Sequence, residues 1–429
     1  MRQTYWTGLA ACAALSTALG CNAIWGIPDG EASGDSATGG AGSSGSSGGA
    51  GATASAGSGA GGGGAAGGPS AECPFEPFTG RAPGACQAAD GDHDYLSDPE
   101  NCCVPGRSCL GGACEEGRCL PVVLATADDE EHEAIGLVVD GDGDDGRVLW
   151  ASGYGSTIFA TEKAASGSTE PLVVLDSLAT MLARSESSLL ITDETEPDVY
   201  RMPLTGNVTV STVASAQGAA GYRRPVAGGG WVYWSTGVIE DPEQDPDARD
   251  VPKRIWAARA DATDQTGLPV FDRDTYVGGL ALDATHLYWT ELPPGGTHST
   301  VRRMALGEPG QTEIVASIPI HDGDLPGDIA VGERIFWISG YAIYAANKDG
   351  TGAGTLVATD FPTRLLADST FVYWYSREEQ LQRVRTSGGA PEPLADSADI
   401  RDLAQDCGAL YWTTWATDER PASVIKLAK

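Results

Sequence analysis

The sequence predicts an all-β protein: a seven-bladed β-propeller, closed by an N-terminal outer strand and preceded by a small disulfide-rich module. Three observations carry this. One short phrase recurs seven times between Trp150 and Trp412, and self-similarity of this kind marks a repeat architecture. Six copies, at 148–152, 232–236, 287–291, 335–339, 372–376 and 410–414, centre on a tryptophan; the degenerate copy, 189–193, does not. Next, alternating apolar residues and Gly-rich turns divide each repeat into four strands, A to D, with the tryptophan phrase as strand B. Finally, the last repeat ends at Lys429 after its strand C, while a strand-D phrase stands alone at 121–126. Supplying that strand from the N-terminus would leave no open edge between the first and last blades.

The elements in chain order begin with residues 1–21. Arg2 gives a positive start, an apolar stretch follows, and small residues precede Cys21. This resembles a bacterial lipoprotein signal, which makes Cys21 the lipidation candidate. The box ending at Cys12 fits the pattern better but leaves too short an apolar region before it; an ordinary secretory peptide is the alternative. No other stretch reaches the ~18 apolar residues of a spanning helix, so the lipid would be the only membrane attachment. Residues 22–72 form a linker, almost wholly Gly, Ser and Ala over 30–71. Such a tract buries too little apolar surface to offset its chain entropy. About 40 flexible residues reach roughly 35 Å.

Residues 73–120 hold Cys73, Cys86, Cys102, Cys103, Cys109, Cys114 and Cys119, seven of the ten cysteines. In an exported chain this density reads as disulfides, because so short a segment lacks a core of its own. Seven is odd, and Cys407 lies in the A–B turn of the last repeat. The N-terminal strand D would begin at that same end of the propeller, so a bridge from the module to Cys407 is expected. An isolated buried Cys407 is the alternative. Residues 121–429 are the propeller. The count drops to six blades if the degenerate repeat is not one.

The phrases Leu287-Tyr288-Trp289-Thr290-Glu291 and Leu410-Tyr411-Trp412-Thr413-Thr414 resemble those of YWTD propellers of the LDL-receptor class B type. The resemblance covers residues 121–429. It implies an aromatic pair packed between blades and a terminal acid, here Asp193 and Glu291, tying neighbouring blades. It also implies a protein-binding role, and it sets the family's six blades against the seven counted here.

Acidic residues outnumber basic ones 59 to 27, for a net charge of −32. This argues against nucleic acid, whose phosphates need clustered Lys and Arg, and against anionic lipid headgroups. Asp90, Asp92, Asp94 and Asp98 could converge oxygens on Ca²⁺, and the run resembles thrombospondin type 3 loops. Tyr95 stands at the usual glycine position and no closing Glu follows, so a solvated turn competes. Calcium is the one cofactor the sequence suggests. The Gly/Asp run 140–146 reads as a hairpin turn.

No His-Glu-x-x-His, nucleophile elbow or phosphate loop occurs in the folded region. Long B–C and D–A loops of repeats three to five share one end of the propeller, and function concentrates in such loops. They carry Glu240, Asp241, Asp245, Asp247, His298, His321 and Asp322. The expected function is binding of an envelope or extracellular protein or glycan at that end, by an exported protein anchored by its lipid to the outer membrane. The competing reading is a secreted hydrolase or lyase with a metal or histidine in the central channel. Innermost segments such as 328–331 and 364–367 look mostly apolar, which favours binding.

Overall fold

The computed structural model describes Cys86 and, with short internal gaps, residues 94–429; the longest gap is 238–251. The chain divides into two units, residues 1–58 and 59–429. All described residues belong to the second. Cys21, Cys73, Asp90, Asp92, Glu240, Asp241, Asp245, Asp247, His321 and Asp322 lie outside them.

Seven antiparallel sheets follow one another, each built A-B-C-D from the axis outward. Blade one is Ala134–Asp140, Arg147–Ser152, Thr157–Glu162 and Thr169–Val174. Blade four is Tyr276–Leu282, His286–Leu292, His298–Ala305 and Thr312–Pro319. The degenerate repeat is a true blade, with Ser188–Asp193 as its strand B, so the count is seven and the six-bladed alternative falls. Blade two gains a fifth strand: Gln265–Thr266, from the C–D connection of blade three, pairs parallel with Ser211–Ser215. The last blade takes Ile400–Gln405, Ala409–Thr414 and Ser423–Ala428 from the C-terminus and Val122–Thr126 from the N-terminus. Its closing register sets Thr126 opposite Ser423 and Val122 opposite Lys426.

The tryptophans build the blade interfaces. Trp150, Trp234, Trp289, Trp337, Trp374 and Trp412 are all 2% exposed or less. Each packs on the preceding blade, against the residue one position before its strand-B centre: Trp412 with Tyr373, Trp374 with Phe336, Trp337 with Tyr288, Trp289 with Tyr233. In blade two Ile191 takes the tryptophan's place, against Leu149 of blade one. The tryptophans are structural. The expected tie by a terminal acid is not what Glu291 does. Its carboxylate accepts from Trp289 Nε1 at 3.0 Å and Arg302 Nε at 2.5 Å, both within its own blade. Thr290 makes the crossing instead, donating to Gly327 O of blade five at 2.7 Å.

A second tie between blades recurs at the end bearing the A–B and C–D turns. Asp283, Asp368 and Asp406 each sit five residues before a strand-B tyrosine and accept its hydroxyl at 2.9–3.0 Å. Each also caps its own A–B turn by accepting backbone N–H groups, as from Thr285 and His286 on Asp283. A lysine just past strand C of the next blade completes each set: Lys348 on Asp283 at 2.9 Å, Lys429 on Asp368 at 3.2 Å, Lys163 on Asp406 at 2.7 Å. The last set spans the closing seam, where Lys163 is fully buried. Blade three has Gly228 at the aspartate position. There Tyr233 instead accepts the Gly307 N–H at 2.9 Å.

Ahead of the closing strand, Cys86–Cys103, Cys102–Cys114 and Cys109–Cys119 bridge a module in which the strands Cys114–Glu115 and Arg118–Cys119 form a short hairpin. Cys407 is also disulfide-bonded. Cys102 and Cys109 pack in the same apolar cluster as Leu410 and Leu427 of blade seven, which seats the module on that blade.

Candidate functional site

A cavity of about 250 Å³ opens on the axis at the end bearing the D–A and B–C connections. Its wall consists of residues near the start of strands A and the end of strands B, with Arg224 and Pro362 from D–A connections. The local cause is a bulge. In six of the seven blades the A–B register slips near the start of strand A. An extra residue breaks the alternation of faces and re-aims a side chain. In blades six and seven the extra residues are Arg364 and Arg401; in blade five the slip covers Gly327 and Asp328. In blade four it covers Gly278 and Gly279, where an added Cβ would lie 2.3 Å from Pro326 O and 2.7 Å from Asp328 Oδ1. Only glycine lets blade five approach that closely.

The bulges gather an ionic cluster. Asp402 Oδ2 accepts the Leu137 N–H at 2.6 Å and a guanidinium N–H of Arg224. Asp402 Oδ1 accepts Arg364 Nε at 3.0 Å and its neighbour's N–H, Leu403, at 2.8 Å. Arg364 NH1 donates to Asp328 Oδ2 at 2.9 Å, and that oxygen also accepts the Leu365 N–H at 3.0 Å. Arg224 also donates to Leu137 O at 2.7 Å. Burial, then repulsion from Arg364, draws the Arg224 guanidinium well below its ordinary pKa, against the pull of Asp328. Arg224 Nε and Arg364 NH2 are buried without a hydrogen-bond partner. Arg401 stacks on Trp415, and burial raises the Tyr375 phenol. The innermost strands are therefore not the apolar lining expected: Asp328 and Arg364, at the heads of the segments read as mostly apolar, line the cavity.

A carboxylate offers about four acceptor sites, and four donors fill those of Asp402. Beside the cavity the surface turns apolar. Tyr341 and Phe361, 53% and 39% exposed, contact each other at 4.4 Å between ring centres, and Leu325 is 49% exposed. All three lie in B–C or D–A connections of blades four to six. Phe361 and Arg364 have φ of 38° and 51°. Such left-handed backbone is uncommon outside glycine and tends to gather at binding sites.

The candidates of the sequence fare unequally. The acidic B–C insertion of blade three does join strands B and C, between Trp231–Gly237 and Pro252–Arg259. Its acids fall outside the described residues. His298 opens strand C of blade four, exposed, with Nδ1 2.9 Å from Thr297 Oγ1. Asp94 and Asp98 each cap their own turn. Asp94 accepts from Leu96 N and Ser97 Oγ at 3.2 and 2.7 Å, Asp98 from Glu100 N and Asn101 Nδ2 at 2.9 and 3.0 Å. Arg224, Arg364, Arg401, Tyr341 and Phe361 were missed. A lone charged residue at the head of an apolar strand A was the signal available.

No family model and no curated protein matches the sequence. Among solved structures the chain is similar to virginiamycin B lyase from Staphylococcus aureus, with 13% identity over 72% of this chain and 99% of that one, at a TM-score of 0.52. A streptogramin B lyase aligns at 12% identity over 72% and 97%, with a TM-score of 0.51. The WD40 propeller domain of Doa1 aligns at 8% identity over 71% and 96%, also at 0.51. These likenesses establish the propeller fold.

Proposed function

We propose that this chain is an exported, lipid-anchored binding protein that presents the D–A/B–C end of its propeller to a protein or glycan of the cell envelope. The observation that carries the reading is the coincidence, at one end, of an open charged cavity with the exposed Tyr341–Phe361 pair and Leu325. Concave, mostly apolar surfaces with a few fixed polar groups are where ligands bind, and exposed apolar patches mark interaction sites. The three bridges support an oxidising compartment, and the signal ending at Cys21 supports the anchor. A Ca²⁺ held by Asp90, Asp92, Asp94 and Asp98 belongs to the same proposal as a brace for the module.

The lyases among the similar structures raise an enzymatic reading. The saturated acceptors of Asp402 speak against a proton-abstracting base there, and the described residues lining the cavity include no histidine. Cross-linking in intact envelopes, followed by pull-down, tests the proposal. Wild type should retain a partner that is lost when 240–250 is replaced by Gly-Ser or when Tyr341 and Phe361 are both changed to alanine. A partner list unchanged in both variants would sink the assignment to this end.

A further inference from the structure

The module and blades six and seven enclose a second, larger cavity of about 360 Å³, at the opposite end of the propeller. The sequence carries 59 acidic and 27 basic residues, yet among the described residues Arg107, Arg118, Arg383 and Lys429 face this space against Glu116 and Glu392. Glu392 is engaged by Arg383 Nε at 3.0 Å, and Lys429 is held by Asp368 and by Gln405 at 2.9 Å. Arg107 comes from the module and Arg383 from strand C of blade six, so the two residues line the cavity from either side of the joint. Burial, then the positive charge of Arg383, pulls Arg107 down to about 10. An anion among these cations gains charge-assisted hydrogen bonds. Below the cations the floor is apolar: Leu394 is half-buried, Leu410 and Leu427 buried.

We propose that this cavity is a second binding site, for an organic anion whose carboxylate or phosphate sits among Arg107, Arg118 and Arg383 and whose apolar body lies on Leu394, Leu410 and Leu427. The site is independent of the axial cavity. It needs the module in place, because Arg107 and Arg118 belong to it. The anion could arrive as a soluble molecule or as the exposed head of a lipid, and the two sources are separable.

Calorimetric titration of the full chain tests it with hexyl phosphate, hexanoate, inorganic phosphate and hexanol as probes. Hexyl phosphate and hexanoate should bind, at least roughly tenfold tighter than inorganic phosphate, with no heat from hexanol. Arg107→Gln and Arg118→Gln should each weaken hexyl phosphate by roughly tenfold, the scale of one charge-assisted hydrogen bond. Arg118 is exposed, so its variant keeps the test decisive if Arg107→Gln fails to fold. Co-flotation with phosphatidylglycerol vesicles, absent with phosphatidylcholine and reduced by Arg118→Gln, would identify a lipid source; soluble binding without flotation would identify a free one. The proposal falls if no organic anion binds, if inorganic phosphate binds as tightly as hexyl phosphate, or if both variants bind unchanged.

Discussion

At the D–A/B–C end, Arg224, Asp328, Arg364 and Asp402 are drawn from four blades into one interlinked cluster on the axis. At the other end, ionic contacts are spread around the rim as separate Tyr–Asp–Lys sets, each joining two neighbouring blades. The difference is one of coupling. Within a buried cluster the loss of one member strands the others without partners. A rim set fails alone, and its aspartate still holds its tyrosine and its turn. Charge on the axis shapes a cavity, and charge on the rim fastens blades.

Substitutions at the two ends should separate these roles. Asp402→Ala removes an acceptor from two guanidiniums and two backbone N–H groups. It should cost about 3–5 kcal/mol in urea denaturation, as when a buried pair is broken; a loss below about 1 kcal/mol would mean that the cluster is not cooperative. Lys163→Met should cost about 3 kcal/mol, the low end of that range, because Asp406 keeps the N–H groups of Gly408 and Ala409 and the Tyr411 hydroxyl. Lys348→Met, at a lysine side chain 35% exposed, should cost under about 1 kcal/mol, since solvent screens it. Equal losses at the two lysines would remove burial as the explanation.

The rim should also be the acid-sensitive end. Burial favours protonation of Asp283 and Asp368, but their lysines, the N–H groups of their turns and, at Asp368, the Tyr373 hydroxyl outweigh it and hold both below the usual carboxylate range. A depressed folded-state pKa contributes stability that is complete above the unfolded value near pH 4 and is lost as pH falls below it. Urea midpoints measured from pH 7 to pH 3 should drop most steeply below pH 4. Asp283→Asn should flatten that limb, and an unchanged slope would contradict the assignment. Smallest in stability, Tyr341→Ala and Phe361→Ala should each stay within about 0.5 kcal/mol, as exposed positions do, while cross-linking to the proposed partner should weaken.

The repeat made the fold readable, because seven copies of one phrase fix blade number, strand order and the tryptophan interfaces together. The missing last strand located its replacement at 122–126. The axial site was hidden because a bulge breaks the alternation from which strand faces are read. Arg364 and Asp328 look like edge residues of apolar strands until the extra residue turns them inward. The rim sets were partly legible. Asp-x-x-x-x-Tyr recurs in blades four, six and seven, and three of the chain's five lysines fall just past strand C of the following blade. What pairs them is proximity across a blade boundary, which no single repeat contains.

The seam between Val122–Thr126 and Ser423–Ala428 has a kinetic consequence. These strands are about three hundred residues apart, so one of the first segments to emerge must wait for the last, and long-range pairing of this kind is slow. Until then blade seven stands with an open edge, at the stage when an incompletely folded chain is most exposed to partners of its own kind. The bridged module adjoins the waiting strand, and Cys407 lies in the blade it must join. Pairing across this seam should therefore be the slow step of refolding.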